Sequence, residues 1–307
     1  MVSRALVAAS QSRRLQRWVS TNRWSRRLVS RFVAGEDVDA AVTATSRLIE
    51  AGLVVTIDLL GEHTATATDA ESTRDQYVEL LTRLAEANLS GRCEVSVKLS
   101  ALGQALPDGD RICLENARAI CAAASAAGTT VTVDMEDHST VDSTLVVVRT
   151  LREQYPWVGA VLQSCLRRTE ADLDSLARPG SRVRLVKGAY LEPARVAHRD
   201  KAEVDRAYLG GLRSLFASGA YPMIATHDQA LIDAATTLAA DHGYMAGEYE
   251  LQMLYGIRPH EQRRQASAGR TVRVYVPFGT DWYPYFMRRL AERPANVAFL
   301  LKNLIRS

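Results

Sequence analysis

Two segments carry side chains whose kinds and spacing suit chemistry on a small carboxylate. In the first, the strand Val272–Pro277 leads through Phe278-Gly279-Thr280-Asp281 into Trp282-Tyr283-Pro284-Tyr285-Phe286-Met287-Arg288-Arg289-Leu290-Ala291-Glu292. Asp281 suits a helix N-cap and Pro284 a first turn. Helical spacing puts Tyr285, Arg288 and Glu292 on one face, with Arg289 beside them. Adjacent arginines offer several donors to one carboxylate, most strongly as a bidentate pair, and Glu292 can orient a guanidinium. The plain alternative is a surface salt-bridge helix. In the second, the strand Arg182–Lys187 ends in Gly188 and Ala189, small enough for a ligand to approach the backbone, with Lys187 and Tyr190 alongside. A simple strand-to-turn transition explains the glycine but leaves Lys187 without a partner.

Lysine is rare in this chain. Of 38 basic residues only Lys98, Lys187, Lys201 and Lys302 are lysines. Arginine is the general surface cation, and the two side chains are not interchangeable, so the position of each lysine carries information. A third cluster, Asp134-Met135-Glu136-Asp137-His138 with His227 and Asp228, has donors suited to a metal. It offers no helical H-x-x-x-H pair, and a metal-dependent barrel hydrolase or lyase leaves the double arginine unexplained. Neither a G-x-G-x-x-G nor a P-loop motif occurs, so a Rossmann or P-loop nucleotide site has no support.

The elements that position these residues recur in order. Strands are expected at Leu53–Leu59, Glu94–Leu99, Thr130–Asp134, Val158–Gln163, Arg182–Lys187, Met223–Thr226, Tyr249–Leu254 and Val272–Pro277, with helical patterns such as Glu115–Ala127 and Asp228–Ala240 between them. Eight alternating βα units argue for a parallel sheet, and their number favours a closed (β/α)8 barrel over an open sheet. Val95, Val97 and Leu99 alternate with Glu94, Ser96 and Lys98, and strands three and eight alternate likewise. One face is apolar, for the helices. The other is polar, which suggests a large ligand inside the barrel. Barrel active sites lie at the strand C-termini, where Lys98, Asp134, Gln163, Lys187, Thr226, His227 and Leu254 fall.

Composition bounds the reading. The chain has 307 residues, 47% hydrophobic and 24% charged, with a net charge of +3. No run approaches the roughly 20 apolar residues that span a bilayer. Cys93, Cys113, Cys121 and Cys165 lack C-x-x-C spacing and read as reduced core thiols of a cytoplasmic protein. The first 35 residues hold Arg4, Arg13, Arg14, Arg17, Arg23, Arg26, Arg27 and Arg31 and no acid. This arm, set at residues 1–45 before a catalytic domain at 46–307, suits a helix packed on the barrel, peripheral contact with an anionic membrane face, or a transit-like segment. A binding module built on the arm is the non-enzyme alternative, and it leaves the strand ends idle.

The motifs together carry a family likeness. Val95-Ser-Val-Lys98-Leu-Ser-Ala-Leu-Gly103, Val133-Asp-Met-Glu136, Leu185-Val-Lys187-Gly-Ala-Tyr190-Leu-Glu-Pro193, Ala225-Thr-His227-Asp228, Gln252-Met-Leu254-Tyr-Gly256, Val274-Tyr275-Val-Pro-Phe-Gly279 and Arg288-Arg289-x-x-Glu292-Arg-Pro-x-Asn296 resemble the proline dehydrogenases, in that family's order. Seven motifs in register are specific where one is weak. The length resembles the short monofunctional bacterial form, without an aldehyde dehydrogenase domain.

The resemblance implies a distorted TIM-type barrel with N-terminal helices, FAD at the strand C-termini and a last helix over the mouth. It implies oxidation of L-proline to Δ1-pyrroline-5-carboxylate by hydride transfer. Arg288 and Arg289 would clamp the substrate carboxylate with Lys98, Glu292 would order the clamp, and Asp134 would pair with Lys98. Tyr190, Leu254, Tyr275 and Tyr285 would wall the ring, and Tyr275 resembles the proline-selective members. FAD contacts would fall on Met135, Gln163, Arg184, Val186, Lys187, Gly188, Ala189, Thr226 and His227. Lys201 lies where the chain aligns poorly with longer members. A quinone acceptor and a separate pyrroline-5-carboxylate dehydrogenase downstream are also implied, with no metal and no nucleic acid.

Overall fold

The computed structural model describes residues 28–61 and 64–291. Eight parallel strands close into one barrel in chain order, β1 against β8. They are β1 Val54–Leu59, β2 Cys93–Val97, β3 Thr130–Val133, β4 Gly159–Gln163, β5 Arg182–Val186, β6 Tyr221–Ala225, β7 Glu250–Leu254 and β8 Val272–Phe278. Every end lies within two residues of the sequence expectation. Helix α1 (Val38–Glu50) precedes β1, and α2 (Ala67–Glu86), α3 (Gly109–Ala127), α4 (Val141–Gln154), α5 (Thr169–Leu176), α6 (Lys201–Ala217), α7 (Gln229–Asp241), α8 (Pro259–Ser267) and α9 (Trp282–Ala291) each follow a strand. Among the described residues no helix is long and apolar enough to cross a membrane.

Local chemistry starts and stops these helices. Thr66 and Asp69 form a reciprocal capping box on α2. Asp200 and Asp228 cap α6 and α7 through backbone N–H groups. Gly128 takes a left-handed conformation where α3 ends.

Pleating decides which side chains meet. Val55, Ile57, Val95, Val97, Val131 and Val133 are fully or almost fully buried against the helices, each such side chain contributing roughly 1.5–3 kcal/mol. The register aligns Thr56 with Glu94 and Asp58 with Ser96 on the opposite face. That face is the barrel interior: Glu94 on β2 meets Arg182 and Arg184 on β5 and Arg273 on β8, strands that do not neighbour β2. The polar interior therefore differs from the expectation of a ligand-filled lumen. Its floor is filled by ion pairs within the chain.

The mouth is covered by a second apolar cluster. From α9, Trp282, Tyr283, Tyr285, Phe286 and Met287 pack with Leu28, Val29, Phe32 and Val33, with Leu60 and Ile257 beyond the ends of β1 and β7, and with Leu254, the last residue of β7. The last described helix thus lies over the strand C-termini. Gly256 sits against the Arg31 carbonyl so tightly that a Cβ would come within 1.6 Å of it. Of the N-terminal arm, Arg31 is described; Arg4 through Arg27 lie outside the described residues, as do Glu292 and Lys302.

Candidate active site

The strand ends build the site in layers. Lowest is the floor. Glu94, wholly buried, accepts from Thr56 Oγ1 at 2.7 Å, Arg182 Nη2 at 2.7 Å and Arg184 Nη2 at 3.2 Å. Glu250 accepts from Arg273 Nε at 2.7 Å and from Tyr221 Oη at 3.1 Å. Burial alone would neutralise Glu94, but Arg273, Arg182 and Arg184 outweigh it and hold the carboxyl well below its ordinary range.

Above the floor, Arg184 Nη1 donates to Asp134 Oδ1 at 2.7 Å and to Ser96 Oγ at 3.0 Å. Tyr275 Oη donates to Asp134 Oδ2 at 2.6 Å, and its ring lies 5.3 Å from the Arg184 guanidinium. Lys98 Nζ stands 3.7 Å from Asp134 but 2.6 Å from Asp58. Asp134 does approach Lys98, as the sequence suggests, yet Asp58 is the closer partner. Burial, opposed by Lys98 and reinforced by Asp134, lifts Asp58 to about 6. Burial also works against the Lys98 ammonium, but Asp58 and Asp134 raise its pKa well above the lysine range, so it stays charged. Sequence reasoning missed Asp58 and Ser96. Both occupy the polar phase of their strands at the C-terminal end, the one signal that was available.

On the far side of the mouth Lys187 Nζ lies 2.6 Å from Asp205 and 3.2 Å from Asp228, and Lys201 joins the same two carboxylates. The lysine singled out at the end of β5 thus has partners, one of them on α6. Gln163 Nε2 donates to the Glu136 carbonyl at 2.7 Å. His227 Nε2 accepts from Leu254 N at 2.9 Å. Met135 is buried, Thr226 Oγ1 accepts from Asp228 N, and Val186 is partly buried. Gly188 has φ +105°, and a Cβ there would lie 2.3 Å from Cys165 Sγ. Its smallness serves this packing as well as any ligand. Ala189 and Tyr190 follow on the loop, where Tyr190 is exposed.

From above, α9 contributes Tyr285 and Arg289, both mostly buried, with the Arg289 guanidinium 5.2 Å from the Tyr285 ring centre. Arg288 is half-buried beside them. The i, i+4 pairing of Tyr285 with Arg289, rather than the i, i+3 pairing with Arg288, makes this cation–ring contact.

The donors of the metal alternative turn to separate partners. Glu136 holds Ser100, His138 is bonded to Glu192 and Asp228 to the lysines. Among the described residues no three His, Cys, Asp or Glu converge on one point. The four cysteines are buried and free, and burial pushes their thiols up to about 11 or 12.

A family model described as proline dehydrogenase matches residues 41–302. Proline dehydrogenase 1 of Bacillus subtilis is 40% identical over 276 residues, 90% of each chain. The proline dehydrogenase of Deinococcus radiodurans is 39% identical over 306 residues, 99% of this chain and 97% of that one. Among solved structures, proline utilization A of Bdellovibrio bacteriovorus, inactivated by N-propargylglycine, superposes with a TM-score of 0.80 at 26% identity, over 87% of this chain and 32% of that longer protein. This chain therefore spans about a third of that structural relative's length. With a closed eight-stranded barrel, a charged mouth and a covering helix already in view, the match over most of its length shows that the chain belongs to the proline dehydrogenase family.

Proposed function

We propose that this chain oxidises L-proline to Δ1-pyrroline-5-carboxylate with FAD as its resident electron acceptor. The observation that carries the reading is the arginine pair Arg288–Arg289 on a helix lying over a barrel mouth ringed by Lys98, Arg184 and Lys187. Cations around one small opening suit a carboxylate substrate and an anionic, electron-accepting cofactor.

The residues fit a flavin. Arg184 is almost wholly buried, and its Nε has no hydrogen-bond partner among the described residues. A buried donor left unpaired costs about 1–3 kcal/mol, a cost that an acceptor on a bound ring removes. Lys187 suits a phosphate, and Met135, Gln163, Val186, Gly188, Ala189, Thr226 and His227 border the same opening. FAD, when bound, supplies the two-electron acceptor. The chain supplies placement. Arg288, Arg289 and Lys98 hold the carboxylate, with Glu292 ordering the arginines. Tyr275, Tyr285, Leu254 and Tyr190 wall the ring, so that the carbon next to nitrogen is the part left facing the acceptor. Asp58 and Asp134 keep Lys98 charged and aimed. Loss of hydride needs the substrate amine neutral, so kcat/KM rises from pH 6 to 9; a flat profile would count against the mechanism.

Electrons then leave to a quinone or another acceptor, reached in a peripheral encounter with the membrane, and a separate dehydrogenase consumes the product. The test is the visible spectrum of the purified protein before and after L-proline. Flavin bands that bleach support the reading, and bands indifferent to proline reopen the substrate. A colourless protein that cannot be loaded with FAD sinks it. Irreversible loss of activity with N-propargylglycine, the agent that inactivated the Bdellovibrio relative, gives a second check.

A further inference from the structure

We propose that Glu94, at the floor of the barrel, is a positioning residue for the redox centre, acting through Arg184. The inference rests on the flavin reading above and extends it to a residue that touches neither cofactor nor substrate.

The argument begins with the Arg184 fork. Its two terminal nitrogens are engaged in opposite directions: Nη2 donates downward to Glu94 Oε1 at 3.2 Å, and Nη1 upward to Asp134 Oδ1 at 2.7 Å and Ser96 Oγ at 3.0 Å. The Tyr275 ring lies against the guanidinium. With both ends of the fork tied, the plane of the group is fixed, and so is the direction of Nε. That is the buried donor with no partner among the described residues. Asp134 alone would leave the guanidinium free to swing about its upper bonds. The lower anchor removes that freedom.

Glu94 is in turn fixed from several sides. Thr56 Oγ1 and Thr130 Oγ1 donate to it from the neighbouring strands, and Arg182 Nη2 and Arg273 approach it from across the barrel. The charges close locally. Glu94, Glu250 and Asp134 face Arg182, Arg184 and Arg273, three carboxylates to three guanidiniums, with Lys98 paired to Asp58 above. Such a lattice resists reorientation, because moving one member strands a buried charge. A cation held still beside an electron acceptor favours its reduced, electron-richer form without reorganising during the reaction.

Glu94→Gln alone leaves an extra buried positive charge, so the main test is the charge-balanced pair Glu94→Gln with Arg182→Met. Arg182→Met alone serves as the structural control, since it disturbs the floor but leaves Glu94 on Arg184. Each FAD-loaded protein is examined by melting, by reductive titration with dithionite for the flavin midpoint potential, and by stopped-flow reduction with L-proline. The double variant is expected to reduce its flavin at least tenfold more slowly at saturating proline than the control, with a more negative midpoint potential and a proline KM within twofold. Glu94→Asp, which keeps the charge but draws the carboxylate back from Arg184, is expected to shift both readouts the same way by a smaller factor. A double variant and a Glu94→Asp protein with the control's potential and reduction rate would overturn the proposal. A purely structural role lowers melting without moving the potential, and that outcome overturns it too. If wild-type flavin is not reduced by proline at all, the substrate reading fails instead, while the dithionite potentials still decide the role of Glu94.

Discussion

The floor and the mouth of this barrel contain the same kinds of residue and use them differently. At the floor, Glu94 and Glu250 meet Arg182 and Arg273 with every charge answered inside the chain. At the mouth, Lys98 and Lys187 also have carboxylate partners but stay partly open to solvent, as does Arg288, and the mostly buried Arg289 stands over a tyrosine ring. The contrast teaches that a buried charge is evidence of a site only after its partners are counted. A neutralised lattice gives shape and rigidity, and cations that open toward solvent can receive a ligand.

The largest expected effect would break this division outright. Arg273→Met leaves Glu250 buried without its main cation, and loss of one partner of such a pair costs about 3–5 kcal/mol. Urea unfolding should show that loss, whereas Arg273→Met with Glu250→Gln should recover most of it. Equal destabilisation by the single and double variants would mean that the floor is not a charge lattice.

At the mouth the counterpart is Arg289→Met, expected to raise the proline KM about a hundredfold, or roughly 2.7 kcal/mol of binding, with little change in melting. A large fall in melting with KM preserved would place Arg289 with the floor. Next in size is pH dependence, where the two regions should run in opposite directions. Glu94 titrates well below its ordinary 4.5 in the fold, so its contribution to stability is present above pH 4.5 and is lost as pH falls below that. Asp58 is lifted from 3.8 to about 6, so the native state takes up a proton first and gains stability from this group as pH falls from about 6 to 3.8. Comparing unfolding free energies of wild type and Asp58→Asn across pH 4 to 7 checks the sign. A steeper acid-side loss in wild type than in the variant would reverse it. The smallest effect concerns the thiols. All four should resist a disulfide reagent in the native protein, and Cys165, packed against Gly188 beneath the mouth, should label first as denaturant rises. Earlier labelling of Cys121 would contradict the order.

Much of the scaffold was legible in the sequence because alternation in a strand is a local signal. Val95–Lys98 and Val272–Val276 announce their faces without reference to anything distant. The floor was misread for the opposite reason. A row of polar residues looks the same whether a ligand or an arginine across the barrel satisfies it, and Glu94 lies 88 positions from Arg182. Asp58 stands in the polar phase of Leu53–Leu59, but nothing local in that strand links it to Lys98, 40 positions on. Lys187 was picked out by its rarity, but Asp205 on α6 had no signal linking it to β5. Gly188 reads in the sequence as room for a ligand, and no local signal points to Cys165 behind it.

The aromatic contact between Phe32 and Phe286, with ring centres 6.3 Å apart, joins the first and last stretches of the described chain. Closing so long a loop is entropically expensive, and the contact can return its energy only after nearly all the intervening chain is ordered. The covering helix, held by such a contact and by no strand pairing, is therefore expected to dock late in folding and to leave early. Its amides should exchange with solvent through an opening cheaper than global unfolding.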